Sequence, residues 1–350
     1  MKVLMALLII VVLAATAAAG FGYWVWNEVH TPVYHQQSLQ AVEIGRGERL
    51  DQILNDLHEK GIVSDPLALR LYLKAKKLSP IVKAGNYNFP SPITAIQVLE
   101  RLEHGGEFNR LTVVEGWTRW DIADAMVRIP DLKLPNRDAA LQLLDNTALI
   151  KDIDPSARNL EGYLFPDTYF IVSNSKPQEL VNDMVKRFHD VWHGKLKEQC
   201  KSNNVSAHQL VTAASIIETE AKLKEERPLI ASVIVNRLKR GMPLSMDSTI
   251  VYASKMAGAW KNNGKVYKSD VDRRSPYNTR KVVGLPPGPV GSPGMSSLEA
   301  AAQPAHSDYL FYVRNPDRND GAHNFYADEK TFNVGVEALR AWEAKQKASK

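Results

Sequence analysis

Cysteine is what this chain has least of. Cys200 stands alone among 350 residues, which excludes an intrachain disulfide and any multi-cysteine zinc site. A charge extreme is missing too. The net charge is +5, lysine and arginine are spread along the chain, and no basic block or basic strip interleaved with aromatics occurs. Nucleic acid is therefore not an expected partner. No Gly-x-x-x-x-Gly-Lys run offers a phosphate loop, and no Gly-x-Ser-x-Gly elbow offers an activated serine. No cofactor and no catalytic metal is expected. The remaining composition, 44% apolar and 24% charged, is that of a folded protein with enough apolar content for two or three packed units.

Charge is also absent from Val3 to Trp26. At a rise of ~1.5 Å per residue such a helix spans a hydrocarbon core of ~30 Å. Lys2 before it favours a cytoplasmic N-terminus, and Trp24 and Trp26 suit the far interface. The rival is a cleaved signal peptide, for which Ala17-Ala18-Ala19 offers small residues. The apolar run continues past that point, so residues 1–28 are read as a transmembrane anchor and 29–40 as a short polar tether. Either reading exports the rest of the chain.

Ala41 to Ile44 alternates like a strand. Leu50, Ile53, Leu54 and Leu57 follow at helical spacing up to Gly61, and Asp65-Pro66 caps a second helix carrying Leu69, Tyr72 and Leu73. Ala84 to Pro90 reads as a second strand. This strand–helix–helix–strand unit, 41–105, resembles a LysM-type module, a fold that in its family binds glycans containing N-acetylglucosamine. A faint echo follows: Arg119-Trp120-Asp121 after a strand at Leu111–Glu115 repeats Arg49-Leu50-Asp51, and Glu161 to Pro166 repeats Ala84 to Pro90. Duplication and chance both account for it. From Lys176 the chain turns helical. Ser206 to Gln209 has capping-box spacing before Leu210, Ala213, Ala214, Ile217 and Ala221, and a second helix from Pro228 to Gly241 completes a hairpin. The fold class is α+β, with residues 106–340 as a catalytic domain and 341–350 as a charged, frayed tail.

Glu218 sits on the first hairpin helix at the border of its apolar stripe. Burial there disfavours the carboxylate and keeps a proton available, as a general acid for glycosidic oxygen requires. The bland alternative is a solvated charged stretch from Glu218 to Glu226, in which Glu220 and Lys224 have the spacing of a helix ion pair. Asn236, Asp247, Ser248, Thr249, Tyr252, Tyr277, Asn278 and Thr279 are candidate substrate-binding residues, since aromatic faces suit sugar rings and amides and hydroxyls suit their polar groups. Asn236 equally suits capping a backbone group, and Asp247 suits a turn or helix cap. Tyr163 and Tyr169 fit a groove or a core. His323 reads as a structural hydrogen-bonding residue.

Several blocks in order resemble the endolytic murein transglycosylase family (MltG, YceG-like). They are Glu161-Gly162-Tyr163-Leu164-Phe165-Pro166-Asp167-Thr168-Tyr169; Ser215-Ile216-Ile217-Glu218-Thr219-Glu220; Ala231 to Leu238; Ser275-Pro276-Tyr277-Asn278-Thr279; Gly284-Leu285-Pro286-Pro287-Gly288; and Pro293 to Ala301. The resemblance implies an inner-membrane protein whose catalytic domain faces the periplasm. It implies cleavage between N-acetylmuramic acid and N-acetylglucosamine within nascent peptidoglycan, near the synthases (penicillin-binding proteins), ending strands as 1,6-anhydro sugars. It places the catalytic glutamate on Glu218, acting alone as acid and then base. A hydrolytic muramidase is the alternative, with Asp247 or Asp167 as its second carboxylate. A non-enzymatic peptidoglycan-binding scaffold is another.

Overall fold

The computed structural model describes residues 2–39, 41–45, 47–106, 109–171 and 175–348. The chain forms two compact units, Met1–Arg110 with Phe170–Ser175, and Leu111–Tyr169 with Lys176–Lys350.

In the first unit, α1 (Lys2–His30) is one long apolar helix, its outer part exposed from Leu7 to Tyr23. It is long and apolar enough to cross a membrane from Leu7 to His30. Strand β1 (Val42–Ile44), helices α2 (Leu50–Glu59) and α3 (Pro66–Lys76), strand β2 (Gly85–Tyr87) and helix α4 (Ala95–His104) follow. The two strands pair antiparallel, Val42 opposite Tyr87 and Ile44 opposite Gly85, which turns Val42, Ile44 and Tyr87 onto one face. Ile53 and Leu57 of α2 and Val98 and Leu102 of α4 cover that face. Asp65 accepts from Leu67 N at 2.7 Å, capping α3 behind Pro66 as its sequence requires.

A second cluster joins the end of α1 to this unit. Val29 is fully buried among Leu54, Leu69, Leu73, Ala95 and Leu99, with Trp24 against them. Ser64 Oγ donates to Glu28 at 2.8 Å. The stretch read as a tether is pinned as well: Val33 and Ile93 exchange backbone hydrogen bonds, and His35 N donates to Ser91 Oγ at 2.9 Å. Gln40, its last residue, lies outside the described residues.

The chain passes between the units within β3 (Asn109–Thr112) and β4 (Thr168–Ile171), which pair with each other. Between them lie α5 (Arg119–Val127) and α6 (Arg137–Leu144), so the strand–helix–helix–strand order recurs. The block Glu161 to Pro166 precedes β4 instead of forming a strand, and Tyr163 and Tyr169 are buried as core. Helix α7 (Pro177–Val191) is followed by a π-helical turn, Trp192–Leu196, kinked at Gly194 (ψ −110°), and then by α8 (Lys197–Asn203).

Next come α9 (Ala207–Glu220), α10 (Arg227–Lys239), α11 (Asp247–Met256), α12 (Lys268–Val271) and α13 (Met295–Ala302). Ser206 and Gln209 form the expected capping box of α9. Helix α9 packs against both α10 and α13, with Ile216, Ile217, Ile230, Ile234, Val290 and Ala300 in one core. A hairpin of β5 (Phe311–Arg314) and β6 (His323–Tyr326) and a last helix, α14 (Glu329–Ala348), complete the unit. The segment expected to fray from 341 continues α14 to Ala348, and residues 349–350 lie outside the described residues.

Candidate active site

Glu218 lies in the last turn of α9, its side chain only 4% exposed. Three groups converge on it. Arg227, first residue of α10, places Nη2 2.6 Å from Oε1, and its own side chain is 6% exposed. Gly294, which caps α13, donates its N–H to Oε2 at 2.8 Å. Glu115 reaches the same Arg227 Nη2 at 3.8 Å from its Oε2. Burial raises the pKa of Glu218; Gly294, Arg227 and the hydroxyl of Ser297 oppose that rise, and the neighbouring Glu115 adds to it. The net direction is upward, because taking a carboxylate out of water outweighs one cation and the positive end of a short helix.

Two glycine loops build the rim of this site. Gly116 N donates to Ser292 O at 2.8 Å and Ser292 N donates to Trp117 O at 2.7 Å, so segments 115–118 and 290–294 clamp each other. A side chain at Gly291 would meet Gly116 O at 2.7 Å, and one at Gly294 would overlap the Glu115 carboxylate. Ser215 Oγ accepts from Val290 N at 2.9 Å, tying the second loop to α9 one turn before Glu218. His208 holds the same loop from the other end, with Nδ1 2.7 Å from Asp154 Oδ2 and Nε2 3.1 Å from Pro287 O. Both ring nitrogens face acceptors, so the imidazole is a double donor; the Asp154 hydrogen bond raises its pKa against the pull of burial.

Deeper in the unit, Glu161 is buried and accepts from Arg119 N at 3.0 Å and from Tyr252 OH at 3.0 Å. Burial pushes its pKa up to about 7 in spite of those two donors. Tyr252 lies between Trp120 and Tyr277, at centroid distances of 5.1 and 4.8 Å with the rings tilted by 43° and 41°. Next to Glu161, Gly162 has a φ of 83°, and a side chain there would meet Pro289 at 2.6 Å. The Glu161 block thus packs closely against Pro289, just after the Gly-Leu-Pro-Pro-Gly segment.

The residues read as sugar-binding divide by exposure. Thr249, Asn278 and Thr279 are fully buried. Thr249 Oγ1 donates to Met246 O at 2.6 Å and lies 2.8 Å from Thr279 Oγ1; Asn278 Nδ2 donates to Val271 O and Arg273 O, both at 2.9 Å. Their polar atoms are engaged inside the protein, an arrangement that braces the loop. Tyr252 is buried against Glu161 in the same way. Asn236 donates to Ser307 O at 2.8 Å and Tyr309 O at 3.0 Å, the capping arrangement, and lines a cavity of 740 Å³ with Ser232 and His306. Asp247 pairs with Arg280 at 2.7 Å and lines a different cavity, of 540 Å³, with Glu220 and Tyr312. Ser248 donates to Glu220, while Tyr277 stays half-buried.

Glu220 is not the partner of Lys224. Helix α9 stops at Glu220, Ala221 is extended, and Glu220 accepts from Ser248 and Tyr312 instead. His323 donates to the buried Glu226 from its backbone N and its Nδ1, both at 2.7 Å, as a structural residue would. Of the two aspartates considered as second carboxylates, Asp167 pairs with Arg187 and Asp247 with Arg280. The carboxylate that shares a cation with Glu218 is Glu115, which the sequence reading passed over, as it did Arg227. The available signal in the sequence was an acid directly before a glycine, Glu115-Gly116, closing the expected strand Leu111–Glu115.

The sequence profile of the YceG-like family matches residues 42–338, and this chain belongs to that family. It is 34% identical over 288 residues to the endolytic murein transglycosylase of Bacillus subtilis (strain 168), with 78% of each chain covered. It is 31% identical over 330 residues to the endolytic murein transglycosylase of Streptococcus pneumoniae serotype 2 (strain D39 / NCTC 7466), where 87% of this chain spans 60% of the relative. The crystal structure of a yceG-like protein from Listeria monocytogenes is similar, with a TM-score of 0.58 at 30% identity, covering 84% of this chain and 97% of that one.

Proposed function

We propose that this chain is a membrane-anchored endolytic lytic transglycosylase of peptidoglycan, with Glu218 as its acid–base residue. The observation that carries the reading is a buried carboxyl, raised in pKa, in the last turn of α9 in a chain of the YceG-like family. Glu218 gives its proton to the glycosidic oxygen between N-acetylmuramic acid and N-acetylglucosamine. The C1–oxygen bond breaks, and the departing N-acetylglucosamine keeps a free 4-hydroxyl. The muramic acid C6 hydroxyl attacks C1, and its proton returns to Glu218. The product is a 1,6-anhydro ring, and no water is consumed. One carboxyl serves both steps, and intramolecular attack avoids the cost of ordering a water. Arg227 and Gly294 N–H hold the carboxylate formed between the two proton transfers.

The apolar helix α1 supports a single-pass anchor in the inner membrane, with the N-terminus cytoplasmic and the rest periplasmic. The first unit has the element order of a LysM-like module and would hold glycan strands close to the synthases that make them. Asn236, Asp247, Ser248, Tyr252 and Tyr277 remain the proposed contacts or supports of the sugar subsites. Products of full-length protein in detergent acting on uncrosslinked glycan strands, weighed by mass spectrometry, test the reading. Fragments one water lighter than hydrolytic ones are expected. Free reducing ends would turn the reading to a hydrolase with Glu115 as its second carboxylate, and intact strands from folded protein would leave only a glycan-binding scaffold.

A further inference from the structure

His189 lies in the last turn of α7, and His193 lies four residues on, in the π-helical turn that follows. The chain therefore contains a His-x-x-x-His pair, which the expectation of a metal-free protein passed over. The two rings are stacked, with centroids 5.9 Å apart and planes 24° from parallel. Asp152 comes from the turn just after the 3-10 segment Thr147–Ile150, and its Oδ2 lies 3.7 Å from His189 Nδ1. One ligand atom from each of the three residues falls within 4.8 Å of the other two.

We propose that Asp152, His189 and His193 form a binding site for a divalent transition-metal ion, zinc above all. Two imidazoles and a carboxylate suit zinc, and bonds of ~2.0–2.1 Å to a shared ion set tetrahedral ligand atoms about 3.3 Å apart. The separation of 3.7 Å between Asp152 and His189 is too long for a hydrogen bond and close to that spacing. A second observation orients the ring. His189 Nε2 lies 2.9 Å from Leu149 O, and a carbonyl only accepts, so Nε2 carries the proton. That leaves Nδ1, on the side of Asp152, as the atom to hold an ion, the arrangement by which an outer hydrogen bond orients a metal-binding histidine. The same short turn thus supplies both a ligand and the carbonyl that aims another.

Trp192 and Leu196 are buried, while His193 is exposed on the outer face beside the kink at Gly194. Asp152 and His193 are exposed and His189 is half-buried, so an ion reaches the site from solvent and keeps a water as its fourth ligand. Bound there, it would clip the 147–152 turn to α7, a structural role separate from Glu218.

The test uses untagged full-length protein in detergent, stripped with chelator. Isothermal titration with zinc should give one ion per chain, and cobalt in its place should show the visible absorption of a four-coordinate site. His189→Ala, His193→Ala and Asp152→Asn should each weaken zinc binding at least tenfold, and should abolish the zinc-induced rise in Tm seen in the parent. Circular dichroism of the stripped variants controls for folding. Absence of stoichiometric zinc binding by the parent would overturn the proposal. So would binding that survives His193→Ala undiminished, which would put the ion elsewhere.

Discussion

Arg227 Nη2 lies 2.6 Å from Glu218 Oε1 and 3.8 Å from Glu115 Oε2, so one buried guanidinium answers two carboxylates. The pair of acids pushes the Glu218 proton one way and the cation pushes it the other. Opposite substitutions should therefore move the pH profile of strand cutting in opposite directions. Glu115→Gln removes a like charge, lowers the pKa of Glu218 and should shift the basic limb of kcat/KM to lower pH. Arg227→Met removes the cation and should shift that limb to higher pH, with a lower maximum because the carboxylate loses its holder. Limbs that move together would assign the titration to a group other than Glu218.

Replacing Glu218 itself separates chemistry from stability. Glu218→Gln keeps an oxygen that accepts from Arg227 but has no proton to give, so cutting should fall by roughly 10²–10⁴-fold. Glu218→Ala should be equally inactive and also less stable than Glu218→Gln, by about 1–3 kcal/mol, because Arg227 Nη2 loses the acceptor it holds at 2.6 Å. Denaturant titration of the two variants checks the difference. Equal stability would mean that the guanidinium finds another partner. Arg227 Nε and Nη1 already lack one, which makes that outcome the less expected.

Stability should fall as pH rises from 5 to 8, for two stated reasons. Glu161 holds a proton in the folded state up to about 7, whereas an ordinary glutamate loses it near 4.5. The folded state therefore binds more protons across that window, and its stability is full below about 4.5 and declines toward 7, by about 3 kcal/mol at ~1.36 per unit. His208 acts with the same sign. Its pKa is raised above 6.5, so its contribution is full below 6.5 and is lost as pH climbs through the folded value. Urea unfolding at pH 5 and pH 8 measures the slope, and Glu161→Gln should flatten it. An unchanged slope in that variant would remove Glu161 from the account.

Local signals in the sequence were strong where one segment carried the whole interaction. The Ser206–Gln209 box, the Asp65 cap and the apolar stripe of α9 each involve neighbours within one helix turn, and each is present. Glu218 was legible from its motif and from its place at the stripe's edge. Its partners were not. Arg227 lies beyond the end of α9 and Glu115 over a hundred positions upstream, so no helical period links either to Glu218. Thr249, Asn278 and Thr279 illustrate a different limit. A hydroxyl or amide that braces a loop has the same composition as one that binds a sugar, and only burial tells them apart. Helix α13 was read as a motif block, although it is the principal neighbour of α9 and supplies the N-terminus that meets Glu218.

The burial of Val29 and Trp24 among α3 and α4 bears on how the protein would sit in a bilayer. In the proposed anchor, with those turns claimed by the first unit, the uncharged helix left to cross lipid runs from Val3 to Tyr23, about 32 Å at ~1.5 Å per residue. That leaves little slack against a hydrocarbon layer of ~30 Å. For the proposed anchor, membrane thickness would then become a mechanical input. A thinner bilayer would be met by leaning the helix, and the first unit would lean with it. A thicker one would draw Trp24 toward the lipid and loosen the seat of α1 on its own module.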